Sequence, residues 1–99
     1  MTLTVKKLLL PYDRTKKVAF QGDYIVVNKN GNKPVVFSSH CTHLGCVINK
    51  KEGDVLVCPC HGSRFDLNGN PVKGPAYKPL QKVPFETDKD SGNLTVKTT

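Results

Sequence analysis

Two short segments, residues 41–46 (Cys-Thr-His-Leu-Gly-Cys) and residues 58–63 (Cys-Pro-Cys-His-Gly-Ser), hold all four cysteines and two of the three histidines of this chain. Thiolates and neutral imidazoles are the ligands that bind zinc and iron–sulfur centres. A Cys-x-His element followed at short distance by a Cys-x-x-His element supplies two of each, and Cys41, His43, Cys58 and His61 form that set. Cys46 and Cys60, one per segment, are then left over as a second pair, which points to a disulfide.

Zinc in a closed tetrahedral site takes the same four ligands but leaves Cys46 and Cys60 without a role. A 2Fe–2S centre of mixed ligation places two cysteines on one iron and two histidines on the other. Each segment then sends one ligand to each iron, which a single tight loop can do. Ligand counting favours the iron–sulfur centre, and a zinc-stabilised binding module stays open as a reading of a different class. A framework of two disulfides ignores the histidines.

The run from Cys41 to Cys46, the run from Cys58 to Asp66 (Cys-Pro-Cys-His-Gly-Ser-Arg-Phe-Asp) and the later Gly74-Pro75-Ala76 resemble the Rieske iron–sulfur proteins of cytochrome bc and related quinol-oxidising complexes. The resemblance is strong over roughly residues 36–80 and is carried elsewhere only by β-like texture. It implies one 2Fe–2S cluster, with Cys41 and Cys58 on the inner iron and His43 and His61 on the outer, solvent-facing iron. It also implies a Cys46–Cys60 disulfide joining the two loops, a proline loop at Gly74, Pro75 and Ala76 covering the cluster, and Ser63 as a hydroxyl donor to a bridging sulfide. His61 would contact the quinol oxygen and accept a proton as the cluster accepts an electron, which then passes to a cytochrome. The chain is thus expected to be an electron-transfer component and not a catalyst alone. Within electron transfer, the small subunit of an arsenite-oxidase-like enzyme shares the disulfide subtype, whereas soluble Rieske ferredoxins of ring-hydroxylating dioxygenases lack that pair.

Charge counting explains the mixed ligand set. Two ferric ions, two sulfides and two thiolates sum to zero with neutral imidazoles, whereas four thiolates would leave the oxidised centre at minus two. An electron enters a neutral centre more readily, and the potential rises to roughly −150 to +300 mV. Hydroxyl donors to cluster sulfurs raise it further by stabilising the reduced state. Phe65 stands where high-potential members of the family carry tyrosine; phenylalanine donates no hydrogen bond, which suits a lower-potential quinol such as menaquinol.

His40 adjoins Cys41, and two adjacent side chains do not easily point at one centre, so it reads as a surface residue or one that acts behind the ligands. Leu44, beside His43, is an apolar residue suited to shaping a docking face. The net charge of +7 attracts acidic partners, an acidic cytochrome acceptor among them. The lysines are scattered without a base-reading motif, so no nucleic-acid role is expected. A disulfide calls for an oxidising, extracytoplasmic or periplasmic compartment. Leu8-Leu9-Leu10 is followed at once by Pro11, far short of the roughly 20 apolar residues of a spanning helix. Since family members in quinol complexes usually carry an N-terminal anchor, the chain is expected to be either a soluble fragment of a membrane complex subunit or a stand-alone soluble relative, the fragment being favoured.

The elements that must position these residues are β throughout. Apolar β-branched or aromatic runs at 17–20, 24–27, 34–37, 55–57, 83–85 and 94–96 are separated by turn residues at 21–23, 28–33, 68–69 and 91–93, and no segment keeps a helical period. The expectation is a single all-β domain over residues 1–99. It would be a small antiparallel sandwich or barrel-like base with a cluster-binding subdomain inserted at about residues 40–77. The connector between the loops, with Gly53 and Asp54 at its turn, is too short for a helix.

Overall fold

The run from Tyr24 to Asn28 lacks the polar/apolar alternation of a strand with one wet face, and its place in the fold gives the reason. The computed structural model describes residues 6–13, 15–28, 34–42, 45–60 and 62–98, together with the side chains of all of these except Lys6, Lys7, Lys97 and Thr98. The described residues form ten strands: β1 (Lys6–Leu10), β2 (Val18–Gln21), β3 (Tyr24–Asn28), β4 (Pro34–Ser38), β5 (Lys50–Glu52), β6 (Val55–Val57), β7 (Arg64–Asp66), β8 (Pro71–Lys73), β9 (Phe85–Thr87) and β10 (Leu94–Thr98). They pair antiparallel as a terminal sheet β1-β10-β9, a central sheet β2-β3-β4 and, between β4 and β9 in sequence, an inserted sheet β5-β6-β7-β8.

Successive side chains of a strand point to opposite faces, and both faces of the central sheet are covered. Ile25, Val27 and Phe37 enter a core with Ile48, Leu56, Phe65, Ala76 and Leu80, on the side of the inserted sheet. Val26 and Val36 enter a second core with Leu10, Leu94 and Val96, on the side of the terminal sheet. A strand buried on two faces reads as a continuous apolar run, as β3 does.

The all-β expectation holds, and no helix is formed among the described residues. Three details differ from the expected elements. The strand expected at 83–85 begins only at Phe85, after Pro84, which has no N–H for a ladder. Residues 6–10 pair with β10 as a terminal strand in place of a failed apolar span. The short polar strands β5, β7 and β8 escape a hydrophobicity reading because ladder pairing, not apolar pattern, defines them. The turn residues 29–33 lie outside the described residues, although Asn28 and Pro34 pair on either side of them.

Turn chemistry fixes the rest of the inserted sheet. Asp66 Oδ1 accepts the N–H groups of Asn68 and Asn70, both at 2.9 Å, an Asx-type closure of the β7–β8 turn. Arg64 pairs with Glu52 at 2.9 Å and Lys17 with Asp54 at 2.8 Å. The first ties β7 to β5, and the second ties the β5–β6 turn to the start of β2. The Glu52 carboxyl is held below its usual range by its Lys50 hydrogen bond and by Arg64, and that of Asp54 by Lys17.

Candidate metal centre

The described residues of the two cysteine segments form loop frames of the same design. Residues 41–46 cap an antiparallel pair formed by His40 and Val47, and residues 58–63 cap the pair formed by Val57 and Arg64. In the first loop the N–H of Cys41 donates to the carbonyl of Cys46 at 2.8 Å; in the second the N–H of Cys58 donates to that of Ser63 at 2.8 Å. Each loop is braced inside by its glycine: Gly45 N–H donates to Cys41 O at 2.8 Å and Gly62 N–H to Cys58 O at 3.2 Å. Both glycines sit at φ 74°, a left-handed conformation that costs a residue with a Cβ about 1–2 kcal/mol. The signal for this frame was in the sequence as a glycine four positions after each leading cysteine, and ligand counting passes over it.

The twin frames place Cys41 and Cys58 at equivalent positions, and both thiols are buried in the same core, at 4% and 2% exposure. Neither is in a disulfide. The expected Cys46–Cys60 disulfide is present, with a Cα–Cα distance of 6.4 Å across 14 residues of sequence. His43, Leu44 and His61 lie outside the described residues.

A third segment lies over the loops. The N–H of Ala76 donates to the hydroxyl of Ser63 at 3.1 Å, and the hydroxyl of Thr42 donates to the carbonyl of Lys78 at 2.8 Å. Residues 76–78 are therefore bound once to each loop, at the place expected for the proline loop; the Gly74–Pro75 peptide preceding them is cis. Tyr77, between the two anchors, is 78% exposed. The chain then returns to the central sheet through Ser38 N–H to Gln81 O and Val83 N–H to Val36 O, both 2.8 Å. Thr42 and Ala76 gain their roles only through contacts distant in sequence.

The residues fit the expected 2Fe–2S group. Two equivalent, buried, non-bridged thiols suit a thiophilic iron centre. Ser63 is fully buried, and its oxygen already accepts from Ala76, so its own O–H proton remains to be donated. Phe65 is fully buried in the same core as Cys41 and Cys58, so packing and the absence of a donor coincide at that position. His40, in contrast, is exposed at the base of the first loop, with its ring on Gly45 and Asp23.

Comparison with known proteins agrees with this geometry. The family model described as "Rieske [2Fe-2S] domain" matches residues 3–84. The cytochrome b6-f complex iron-sulfur subunit of Synechococcus sp. strain JA-3-3Ab is 36% identical over 95 residues, covering 90% of this chain and 55% of that protein. The subunit of the same description from Prochlorococcus marinus strain MIT 9515 is 39% identical over 83 residues, covering 80% of this chain and 47% of that protein. The chain thus spans about half the length of the curated relatives it matches. The crystal structure of the cyanobacterial plasma membrane Rieske protein PetC3 from Synechocystis PCC 6803 superposes with a TM-score of 0.65 at 33% identity, over 82% of this chain and 84% of that one. With paired loops, a disulfide between them and a matching family model on the same residues, the zinc-module reading falls away, and the chain belongs to the Rieske [2Fe-2S] family, an all-β electron-transfer domain whose cofactor is one 2Fe–2S cluster.

Proposed function

We propose that the chain is the cluster-bearing part of the iron–sulfur subunit of a quinol-oxidising cytochrome complex, working on the extracytoplasmic side of a membrane. The observation that carries this reading is the Cys46–Cys60 disulfide between the two loops. It matches the subtype that the sequence resembles and requires an oxidising compartment. Identity of 36% to a cytochrome b6-f complex iron-sulfur subunit supports the same assignment. Among the described residues no helix is long and apolar enough to cross a membrane.

In this reading Cys41 and Cys58 hold one iron and His43 and His61 the other. The cluster, when bound, supplies reversible one-electron chemistry. The chain's own residues do the rest. Burial of both thiols excludes water from the inner side of the site. The twin glycine-braced loops fix the backbone that carries the ligands, and the disulfide keeps the loops from separating. The buried hydroxyl of Ser63, its oxygen held by the Ala76 N–H, would be a hydrogen-bond donor to a cluster held there. His61 is the quinol contact and holds the proton taken from it. The electron goes on to a cytochrome, and the net charge of +7 favours one with an acidic face.

Iron and sulfide analysis with electron paramagnetic resonance of the reduced protein tests this. Two irons and two sulfides per chain, with a spectrum of low average g, are expected. Replacement of Cys41, His43, Cys58 or His61 by alanine should abolish the native signal, whereas His40→Ala should retain a cluster. A bound zinc and a silent spectrum would refute the assignment.

A further inference from the structure

The third histidine is placed as part of the site's scaffold. His40 Nδ1 lies 3.1 Å from the carbonyl oxygen of Gly45. Carbonyl and carboxylate oxygens both only accept, so in either contact it is the ring N–H that donates. On the other side of the ring, Nε2 lies 3.2 Å from Oδ1 of Asp23. Asp23 belongs to the turn between β2 and β3, and that turn is bound to the same short stretch twice more. Ser39 N–H donates to Asp23 O at 2.9 Å, and the Ser39 hydroxyl donates to Gly22 O at 2.8 Å. The imidazole thus spans from a turn of the central sheet to the carbonyl of Gly45, the residue whose N–H, on the preceding peptide, is bonded to Cys41 O.

Among the described residues no side chain braces the second loop in this way. The residue preceding Cys58 is Val57, whose side chain donates nothing. The two loops share one backbone design and are each bound once by residues 76–78; the first is held in addition by His40, and the second lies between β6 and β7. The side chains of His40 and Asp23 are 48% and 73% exposed, and an exposed pair of this kind adds little to global stability. Its effect is geometric.

We propose that His40, seated against Asp23, is a positioning residue that clamps the first cluster loop through the Gly45 carbonyl and so sets the orientation of Cys41. The proposal rests on the reading of Cys41 as a ligand. With the clamp removed, the loop keeps its cysteine, glycine and disulfide, so a cluster still assembles, but in a loop free to sample other orientations.

The test uses the cluster-loaded protein and two readouts that do not depend on turnover. Hydrogen–deuterium exchange followed by mass spectrometry compares peptides covering residues 40–47 and 57–64, and visible circular dichroism with electron paramagnetic resonance reports the ligand field. His40→Ala should speed exchange in the first peptide about fivefold, the factor expected for one lost hydrogen bond, leave the second peptide unchanged, and alter the cluster's dichroism and g-values. His40→Asn, whose amide N–H can replace the ring N–H, should restore both. Asp23→Ala should change them in the same direction, with the double variant no worse than His40→Ala alone. Wild-type exchange and spectra in His40→Ala would overturn the clamp, as would failure of His40→Asn to restore them. Should His40→Ala not fold, Asp23→Ala and His40→Asn decide alone: unchanged exchange in the former, or altered spectra in the latter, overturns the proposal. A native cluster in Cys41→Ser would instead overturn the ligand reading on which it rests.

Discussion

Ser63→Ala separates the two jobs assigned to one buried hydroxyl. Ser63 is 0% and Ala76 4% exposed, and the only described bond of the hydroxyl is the one it accepts from the Ala76 N–H at 3.1 Å. Truncation leaves that N–H buried without its partner, at a cost of about 1–3 kcal/mol. For a domain of this size each kcal/mol moves Tm by about 4–8 °C, so a fall of about 4–24 °C is expected. The second job concerns the hydroxyl proton. A hydrogen bond to a charged acceptor is worth about 1 kcal/mol more than one to a neutral acceptor. Reduction adds one charge to the centre, and one kcal/mol corresponds to about 40 mV for one electron. The potential of Ser63→Ala should therefore fall by about 40–60 mV, while Ser63→Thr, which keeps the hydroxyl, should hold it. Thermal unfolding followed by circular dichroism gives the first quantity and protein-film voltammetry the second. A potential within about 10 mV of the wild type would refute the donor role, and an unchanged Tm would refute the unpaired N–H; neither result can be absorbed by the other.

Replacing Cys46 and Cys60 together by alanine opens a closure of 14 residues and should cost about 3 kcal/mol by chain entropy, read as a shift in the urea midpoint with some cluster still assembled; a loss below about 1 kcal/mol would show that the loops are held by other contacts. Gly69→Ala is expected to be more harmful than a surface glycine change, because Gly69 has φ 83° and an added Cβ would come 2.7 Å from Cε1 of the fully buried Phe37. Backbone strain and overpacking together predict a loss of about 2–4 kcal/mol, and denaturant unfolding showing less than about 1 kcal/mol would contradict the packing described. The Glu52 carboxyl, lowered by Lys50 and Arg64, contributes stability that is present above the ordinary carboxylate pKa and is lost as pH falls through its own lower value. Glu52→Gln should accordingly lower Tm slightly at neutral pH and converge on the wild type in acid, flattening the Tm profile below about pH 4.5; a profile identical to the wild type would remove the pair from the account.

What the sequence by itself determined is the chemistry and the local loops. Spacing within residues 41–46 and 58–63 favours a mixed-ligand iron–sulfur centre and leaves Cys46 and Cys60 as a second pair, with a zinc module still open until the family model over the same residues decides between them. The turns at Gly53-Asp54, Asn68-Gly69 and Ser91-Gly92-Asn93 are legible for the same reason: glycine and short polar side chains act on backbone two or three residues away. Elements whose identity lies in pairing were not legible. Lys50–Glu52 is a strand only because it meets Val55–Val57, and the closing strand expected at 83–85 runs instead from Phe85 to Thr87 because that stretch meets β10.

Only the tertiary structure decided how the loops are held. Thr42 reaches Lys78 across 36 residues, Ala76 reaches Ser63 across 13, and His40 reaches Asp23 across 17. A hydroxyl, an amide and an imidazole carry no mark in the sequence of which distant acceptor they will meet. The packing of the central sheet, with Val26 and Val27 facing different cores, brings those partners together. Local spacing names the groups that can hold a cluster, and the layering of sheets decides what holds those groups still.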